Sequence, residues 1–363
     1  MQELAELRKQ IETIDSQLVD LINHRFELAK EIGVQKSILN LSTYDPRREH
    51  EVLQRIMSLG SDKGMPSPGL IAIFRELLSV CLAVQKPNIV LYLGPGETHT
   101  LQAARKSFGE NAQFISAPNV FDLLEQLQKG GADFAVLPLE NSSQGIVYQS
   151  LKALEKTPFS IHCDVVKKIE HNLLVNGEQD LDLRNVKKIF SHVQAINQCQ
   201  TWIQKNVPQA ELVEFQSTTQ ACLQAKEKGL GVAAIASFQA QVEFGMLLAA
   251  PKIQDQMNNE TRFLVLESTP SSNKPKSNRC ACILSLNDEP GSLAQSLEVF
   301  SKLDFNLARI SSFPSYAEPW KMSFFVELVS LIPRDSSFVI DSSYFSRGGS
   351  KIVFLGFFGS IVS

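Results

Sequence analysis

Residues 253–266 read IQDQMNNETRFLVL: a polar run reaches Thr261 and Arg262 and passes directly into an apolar strand. Three further stretches are built the other way round. FAVLPLENSSQG (134–145), VKKIFSHVQA (186–195) and GVAAIASFQA (231–240) each carry an apolar strand into a polar tip, after which a helix starts. Upstream, IVLYLGPGE (89–97) reads as a buried strand with a glycine turn, and LQAARKSF (101–108) returns to helical spacing. Strands alternating with helices predict α/β layers with functional groups at the strand ends.

The tips are ENSSQG (140–145), SHVQAINQ (191–198), STT (217–219) and NETRF (259–263). Any one of them is ordinary, because Ser and Asn at strand ends mostly cap and turn. Four together, with TRF set before a strand, point to a cleft for a polar, anionic molecule. No serine triad, metal cluster or dinucleotide loop emerges, and GPGETH (94–99) holds two glycines without the full G-x-G-x-x-G.

The first segment differs. Leu4, Leu7, Ile11, Ile14, Leu18, Leu21, Leu28 and Ile32 recur at three- and four-residue steps, an amphipathic stripe on a helix through about residue 38. Such a helix is roughly 55 Å long, so further helices or a second subunit must cover it. Asp45-Pro46 predicts an N-cap and first helical residue of a second helix running to about Leu59. After the loop SDKGMPSPG, a third helix ends near Gln85. Arg25 stands where the stripe calls for Leu or Ile. Lys36, eleven residues on, lies about 20° away around the helix. A salt bridge from Arg25 to Glu49 is the bland reading; two inward cations with one nearby acid favour an anionic ligand.

At the other end, the polar linker STPSSNKPKSNR (268–279) precedes CACILSL, a PGS turn, LAQSLEVFSKL, NLARI and MSFFVEL, read as strand, helix, strand, strand. RISSFPSYAEPW (309–320) reads as a strand ending in a loop. The net charge of −4 argues against nucleic acid as the main partner. Six scattered cysteines without a C-x-x-C pair argue against zinc or a disulfide framework and for a reducing compartment. No signal peptide is expected in the first twenty residues and no apolar run spans a bilayer. A cytoplasmic protein without metal or cofactor is expected.

LRKQIETIDSQLVDLINHRFELAKEIGVQK (7–36), YDPRREHEVL (44–53) and VCLAVQ (80–85) closely resemble the all-helical chorismate mutase family. Its reaction is a cofactor-free rearrangement in which a dianion is held compact and charge grows on a breaking ether oxygen. The resemblance implies that Arg25 and Arg8 bind the two carboxylates, Arg8 reaching into a neighbouring subunit's site. Lys36 and Gln85 would meet the ether oxygen and Glu49 the hydroxyl, with Arg48 and Asp45 completing the shell. Cys81 stands where the family often has serine.

LPLENSSQG (137–145), FSHVQAINQC (190–199), AAIASFQAQVEFG (233–245) and above all IQDQMNNETRFLVL resemble prephenate dehydratase, from about Ile89 to Glu267. The fold implied is two α/β lobes with substrate between them. The implied reaction removes CO2 and water from prephenate, and Thr261 is the candidate donor to the leaving hydroxyl. Glu140, Asn141, Ser142, Ser191, Gln198, Ser217, Thr218 and Phe263 would line the site, with Arg262 placing a carboxylate. Val193 replaces a usual proline, and GPGETH reorders the usual G-P-x-G-T-F.

Residues from 279 on resemble the ACT regulatory domain, an α+β, ferredoxin-like module, which implies phenylalanine as effector. The resemblance places it at Asn287, Gly291, Ser292, Leu293 and Ser312. Where the family writes E-S-R-P, this chain has Ser311, Ser312, Phe313 and Pro314, so weakened feedback is expected. IPRDSSFVIDSSYFSRGGS (332–350) is a poor second helix, with six serines and a Gly-Gly pair. Either an irregular segment replaces the helix or the tail carries a reading-frame change. The expected organisation is a helical mutase domain (1–87), a dehydratase domain (88–267), a linker (268–278) and the ACT-like module (279–363). Together these imply a bifunctional enzyme of phenylalanine biosynthesis acting on chorismate and then prephenate, as a homodimer or higher oligomer. Three alternatives remain at this point: a dehydratase whose helices only dimerise, a non-catalytic sensor of aromatic metabolites, and a preference for arogenate.

Overall fold

The computed structural model describes residues 2–65, 67–96, 98–176, 182–345 and 350–361. It divides into two compact units. Residues 1–89, 108–113 and 272–275 form one; residues 90–107, 114–271 and 276–363 form the other.

The first unit is helical: α1 (Gln2–Ile38), α2 (Pro46–Ser61) and α3 (Ser67–Ala83). The unbroken length of α1 follows from its proline-free sequence. Asp45 caps α2 by accepting from the Arg48 backbone N–H at 3.1 Å, and Pro46 takes the first helical position, where no intrahelical donor is needed. Along α1 the stripe residues Leu4, Leu7, Ile11, Ile14, Leu18 and Leu21 are all at least half exposed. Within one chain, most of the stripe is uncovered.

The second unit begins with β1 (Ile89–Leu93), α4 (His99–Phe108), β2 (Gln113–Ala117), α5 (Val120–Gln128), β3 (Phe134–Asn141), β4 (Gly145–Ile146), α6 (Tyr148–Lys156) and β5 (Ser160–Lys168). The chain then builds a second sheet from β6 (Asn172–Val175), β7 (Lys188–His192), β8 (Glu211–Phe215), β9 (Val232–Ala236) and β10 (Leu247–Ala250). Helices α7 (Val193–Gln198), α8 (Gln200–Asn206), α9 (Thr218–Lys228) and α10 (Phe238–Phe244) connect these strands. β11 (Glu260–Glu267) returns to the first sheet and inserts antiparallel between β5 and β3. The strand that carries Thr261 and Arg262 is therefore the one that ties the two lobes together.

β12 (Ser277–Ser285), α11 (Ser292–Lys302), β13 (Phe305–Pro314), β14 (Met322–Arg334) and β15 (Lys351–Phe357) form a third sheet, ordered β13-β14-β12-β15. β16 (Gly359–Ile361) leaves it and pairs parallel with β5. No second helix forms among the described residues: Ser342–Phe345 is a single 3₁₀ turn. Phe338, Ile340 and Phe345 fill the space instead, packing on Phe300, Phe305 and Phe357. The segment closes the core without a helix, because large apolar side chains can do so without helical periodicity. The stretch 309–320, expected to be a strand ending in a loop, is strand as far as Pro314. Phe313 pairs with Ser323 and is 0% exposed, a core residue rather than a loop residue. No described helix is long and apolar enough to cross a membrane.

Candidate active sites

In the helical unit, the inward cations stand without a carboxylate partner for Arg25 among the described residues. The Arg25 guanidinium contacts the Cys81 sulfur at 2.5 Å, and the Gln85 amide donates to the Cys81 carbonyl at 3.0 Å. The Gln85 side-chain oxygen is shielded from solvent and unpartnered. Gly33 makes this packing possible, since a Cβ there would come 2.8 Å from Gln85 Cγ. Lys36 donates to the Thr43 carbonyl at 2.6 Å. Burial pushes its pKa down against the opposing pull of Asp45. Glu49 does not pair with Arg25: burial raises its pKa, opposed by Arg75 on α3 and a hydrogen bond from Tyr44. Arg75 and Tyr44 were not singled out from the sequence.

Two expected members lie apart. The Arg48 guanidinium is exposed and reaches Glu51 at 3.4 Å as an i,i+3 surface pair. Arg8 is exposed on α1, seventeen residues before Arg25 and hence about 26 Å along the axis. Within one chain Arg25 meets Cys81 beside Gln85, Lys36 lies by Thr43 and Asp45, and Glu49 lies by Arg75 and Tyr44.

In the α/β unit, register builds the second site. Thr261 on β11 lies opposite Asn141 on β3 and opposite Lys167 on β5, so the three side chains share one face. Asn141 Nδ2 donates to Thr261 Oγ1 at 2.8 Å and to Asn259 Oδ1 at 2.8 Å. Its own Oδ1 accepts from the Ser143 hydroxyl at 2.6 Å and from the backbone N–H groups of Ser143 and Gln144. The Asn141 amide is thus locked. Because Thr261 Oγ1 accepts from it, the threonine proton is directed elsewhere, and no acceptor for it exists among the described residues. Ser142 braces the same tip, accepting from Glu260 N–H at 2.9 Å and donating to the Asn258 carbonyl.

Four expected site residues are used differently. Arg262 alternates to the other face of β11, where it donates to Asp164 at 2.5 Å and bidentately to Glu327. Glu140, on that same face, pairs with Arg309 of β13. Ser191 is fully buried and donates to the Ile235 carbonyl at 2.7 Å, serving the sheet rather than a cleft. Phe263 is 2% exposed and packs in the core. These corrections share one cause: strand residues next to a functional one face the other way or lie deeper.

From the second lobe, Ser217 caps α9, Thr218 opens it, and Gln198 Oε1 meets His171 Nε2 at 2.6 Å. Several neighbours escaped the sequence reading. Gln102 donates to Ser237 across the lobes at 3.0 Å, and the His99 and His171 rings meet edge to face at 5.8 Å. Burial, with His171 and Lys167 nearby, pushes the His99 pKa down to about 3. Gly96, at φ +72°, lies so close to Thr219 that a Cβ would come 2.4 Å from its methyl. The available signals were slight: Asn259 sits inside the NNETRF run, and Ser237 precedes FQA as an N-cap serine.

Further along, Gly291 adopts φ 89° at the start of α11, with Ser292 and Leu293 in its first turn and Asn287 in the preceding loop. Ser312 is exposed on β13.

Residues 90–271 match the family described as prephenate dehydratase, and residues 7–86 match chorismate mutase type II. The bifunctional chorismate mutase/prephenate dehydratase of Aquifex aeolicus is 37% identical over 332 residues, 90% of each chain. Among solved structures, a prephenate dehydratase from Staphylococcus aureus has a TM-score of 0.61 at 28% identity, covering 74% of this chain and 99% of its own. One from Arthrobacter aurescens in complex with L-Phe shares the fold, with a TM-score of 0.63 at 24% identity over 75% of this chain and 90% of its own.

Proposed function

Because the chain belongs to the bifunctional chorismate mutase/prephenate dehydratase family and carries both activities, we propose that each reaction is run by the cluster described for it. In the helical unit Arg25 holds a carboxylate of chorismate. Lys36 and Gln85 meet the ether oxygen, on which charge grows as its C–O bond breaks. Glu49 takes the substrate hydroxyl, and Asp45 caps the helix that carries it. Arg8 serves a second copy, brought near when the apolar stripes of two α1 helices cover each other; the exposure of that stripe supports a homodimer or higher oligomer. The free, buried cysteines fit the reducing cytoplasm.

The observation that carries the dehydratase assignment is the Asn141–Thr261 hydrogen bond, which occupies one lone pair of the threonine oxygen and leaves its O–H free to donate. That O–H donates a hydrogen bond to the hydroxyl of prephenate as its bond to the ring breaks, and the departing hydroxide takes a proton from solvent to leave as water. The bond from ring carbon to carboxylate breaks, its electrons complete the aromatic ring, and CO2 leaves. A coupled assay from chorismate to phenylpyruvate tests both sites at once. Thr261→Val should lower dehydratase kcat by roughly 100-fold or more with mutase turnover intact, and Arg25→Ala should do the reverse. Full dehydratase turnover in Thr261→Val would remove Thr261 from the mechanism.

The strand order of the third sheet, with α11 on one face, supports reading it as the ACT module of the family. The Arthrobacter relative in complex with L-Phe supports phenylalanine as effector, at the turn into α11. The buried Phe313 supports weakened control, since an apolar core residue stands where a charged effector contact would be.

A further inference from the structure

Prephenate carries two carboxylates, and the arginine that the TRF motif offers is engaged by Asp164 and Glu327 on the far face of β11. The face of Thr261 offers a different cation. Lys167 stands directly opposite Thr261 in the β11–β5 register, with Cβ atoms about 5 Å apart. With His99, Gln102, Lys106, Lys168 and Ser237 it lines a cavity of about 570 Å³, a volume suited to a small metabolite, which reaches β11 at Glu260, the residue before Thr261. Glu170 and Glu260 also reach this cavity, but Glu170 is paired with Lys252 at 2.9 Å. Lys167 forms no ion pair among the described residues, and burial together with Lys106 lowers its pKa against the pull of Glu170. The buried His99 and Gln102 side chains stand beside it, Gln102 hydrogen-bonding the His99 ring. A partly desolvated ammonium with no ion-pair partner is a site missing its anion.

We propose that Lys167 binds the side-chain carboxylate of prephenate and so sets the substrate beside Thr261. The proposal rests on the dehydratase reading of Thr261. Chemistry decides which carboxylate it takes. The ring carboxylate leaves as neutral CO2, so a cation on it would favour the ground state over the transition state and slow the reaction. The side-chain carboxylate keeps its charge throughout, so an ion pair there contributes binding without penalty. The same cation sets specificity. In the amino analogue of prephenate an α-ammonium replaces the ketone beside this carboxylate, and Lys167, flanked by Lys106 and Lys168, repels it.

Kinetics of the full chain test this. Lys167→Met should raise the KM for prephenate roughly 10- to 100-fold with kcat nearly constant, the mark of lost uniform binding. Lys167→Arg should recover most of it, and the preference for prephenate over the amino analogue should narrow in Lys167→Met. Mutase turnover in the same samples checks folding. An unchanged KM in a folded Lys167→Met protein overturns the proposal. A second measurement needs no variant: phenylpyruvate, which retains the side-chain carboxylate, should slow reductive methylation of Lys167 but not of exposed Lys129. Equal rates with and without it also overturn the proposal. A wild-type chain that makes prephenate but no phenylpyruvate would instead overturn the dehydratase reading beneath it.

Discussion

Thr261 and Arg262 are neighbours in the chain and strangers in the fold. The first shares a face with Asn141 and Lys167; the second meets two carboxylates on the opposite side of the strand. The motif was legible as chemistry, because a hydroxyl beside a guanidinium suggests an anion site, but the division of labour between them was not. Alternation along a strand separates them, and the partner that claims the arginine comes from residue 327. His99 shows the same limit, since its burial depends on the second lobe. Its consequence is a pH dependence with a definite sign. The folded pKa is about 3, with His171 and Lys167 as the cationic neighbours, against an ordinary value of 6.5. Above pH 6.5 the imidazole is neutral folded and unfolded alike, so full stability is present there. As pH falls from 6.5 toward 3 the unfolded chain takes up a proton that the folded one refuses, and stability is lost. His99→Gln should therefore flatten the decline in urea midpoint between pH 6.5 and 4.5; an unchanged slope would assign the decline to other groups, His171 among them.

At the scale of elements, α1 was readable almost residue for residue. Its apolar period and lack of proline specify a helix through 38, and the structure places it at Gln2–Ile38. Local rules suffice there, because helical hydrogen bonds close within four residues. What covers the helix is a separate matter. If Arg8 completes the mutase site of the partner copy, inactive Arg8→Ala and Arg25→Ala proteins should complement each other. A mixed dimer holds one site with both substitutions and one with neither, so mixing should restore roughly a quarter of mutase activity once subunits exchange. No recovery, with exchange confirmed by native mass spectrometry, would place both arginines in one chain's site. β13 and the segment after β14 were less readable. Phe313 among serines looks like loop, and 332–350 lacks any period, yet Phe313 is buried on a strand, and Phe338, Ile340 and Phe345 join a core whose partners lie in other strands.

For the α/β unit as a whole, the third sheet is fastened to the first by charges. Arg309 and Glu327 are opposite one another on β13 and β14, and they face Glu140 and Arg262 on β3 and β11. Arg279 joins this group through Asp164 and Glu327. Glu155 on α6 accepts from Ser285, Ser315 and Ser323 hydroxyls and the Tyr316 N–H, a second fastening. A buried ion network adds little over apolar packing, but removing one partner strands the others. Glu327→Gln should accordingly lower unfolding free energy by about 3–5 kcal/mol, read as a fall in the urea midpoint of this unit. A midpoint unchanged from wild type would mean that solvent replaces the carboxylate.

The sequence by itself determined the helical segment, the α/β alternation, the family resemblance and the candidate hydroxyl, because each is written in residue types at short, regular separations. Only the tertiary structure decided which charges meet. Glu140 and Arg262 belong to the fastening of the third sheet, Ser191 and Phe263 to the interior, and Lys167 to the face of Thr261. The reason is physical. Secondary structure answers to neighbours along the chain, whereas a desolvated charge answers to whatever opposite charge the fold brings within about 4 Å, and those partners are separated here by 65 and 169 residues.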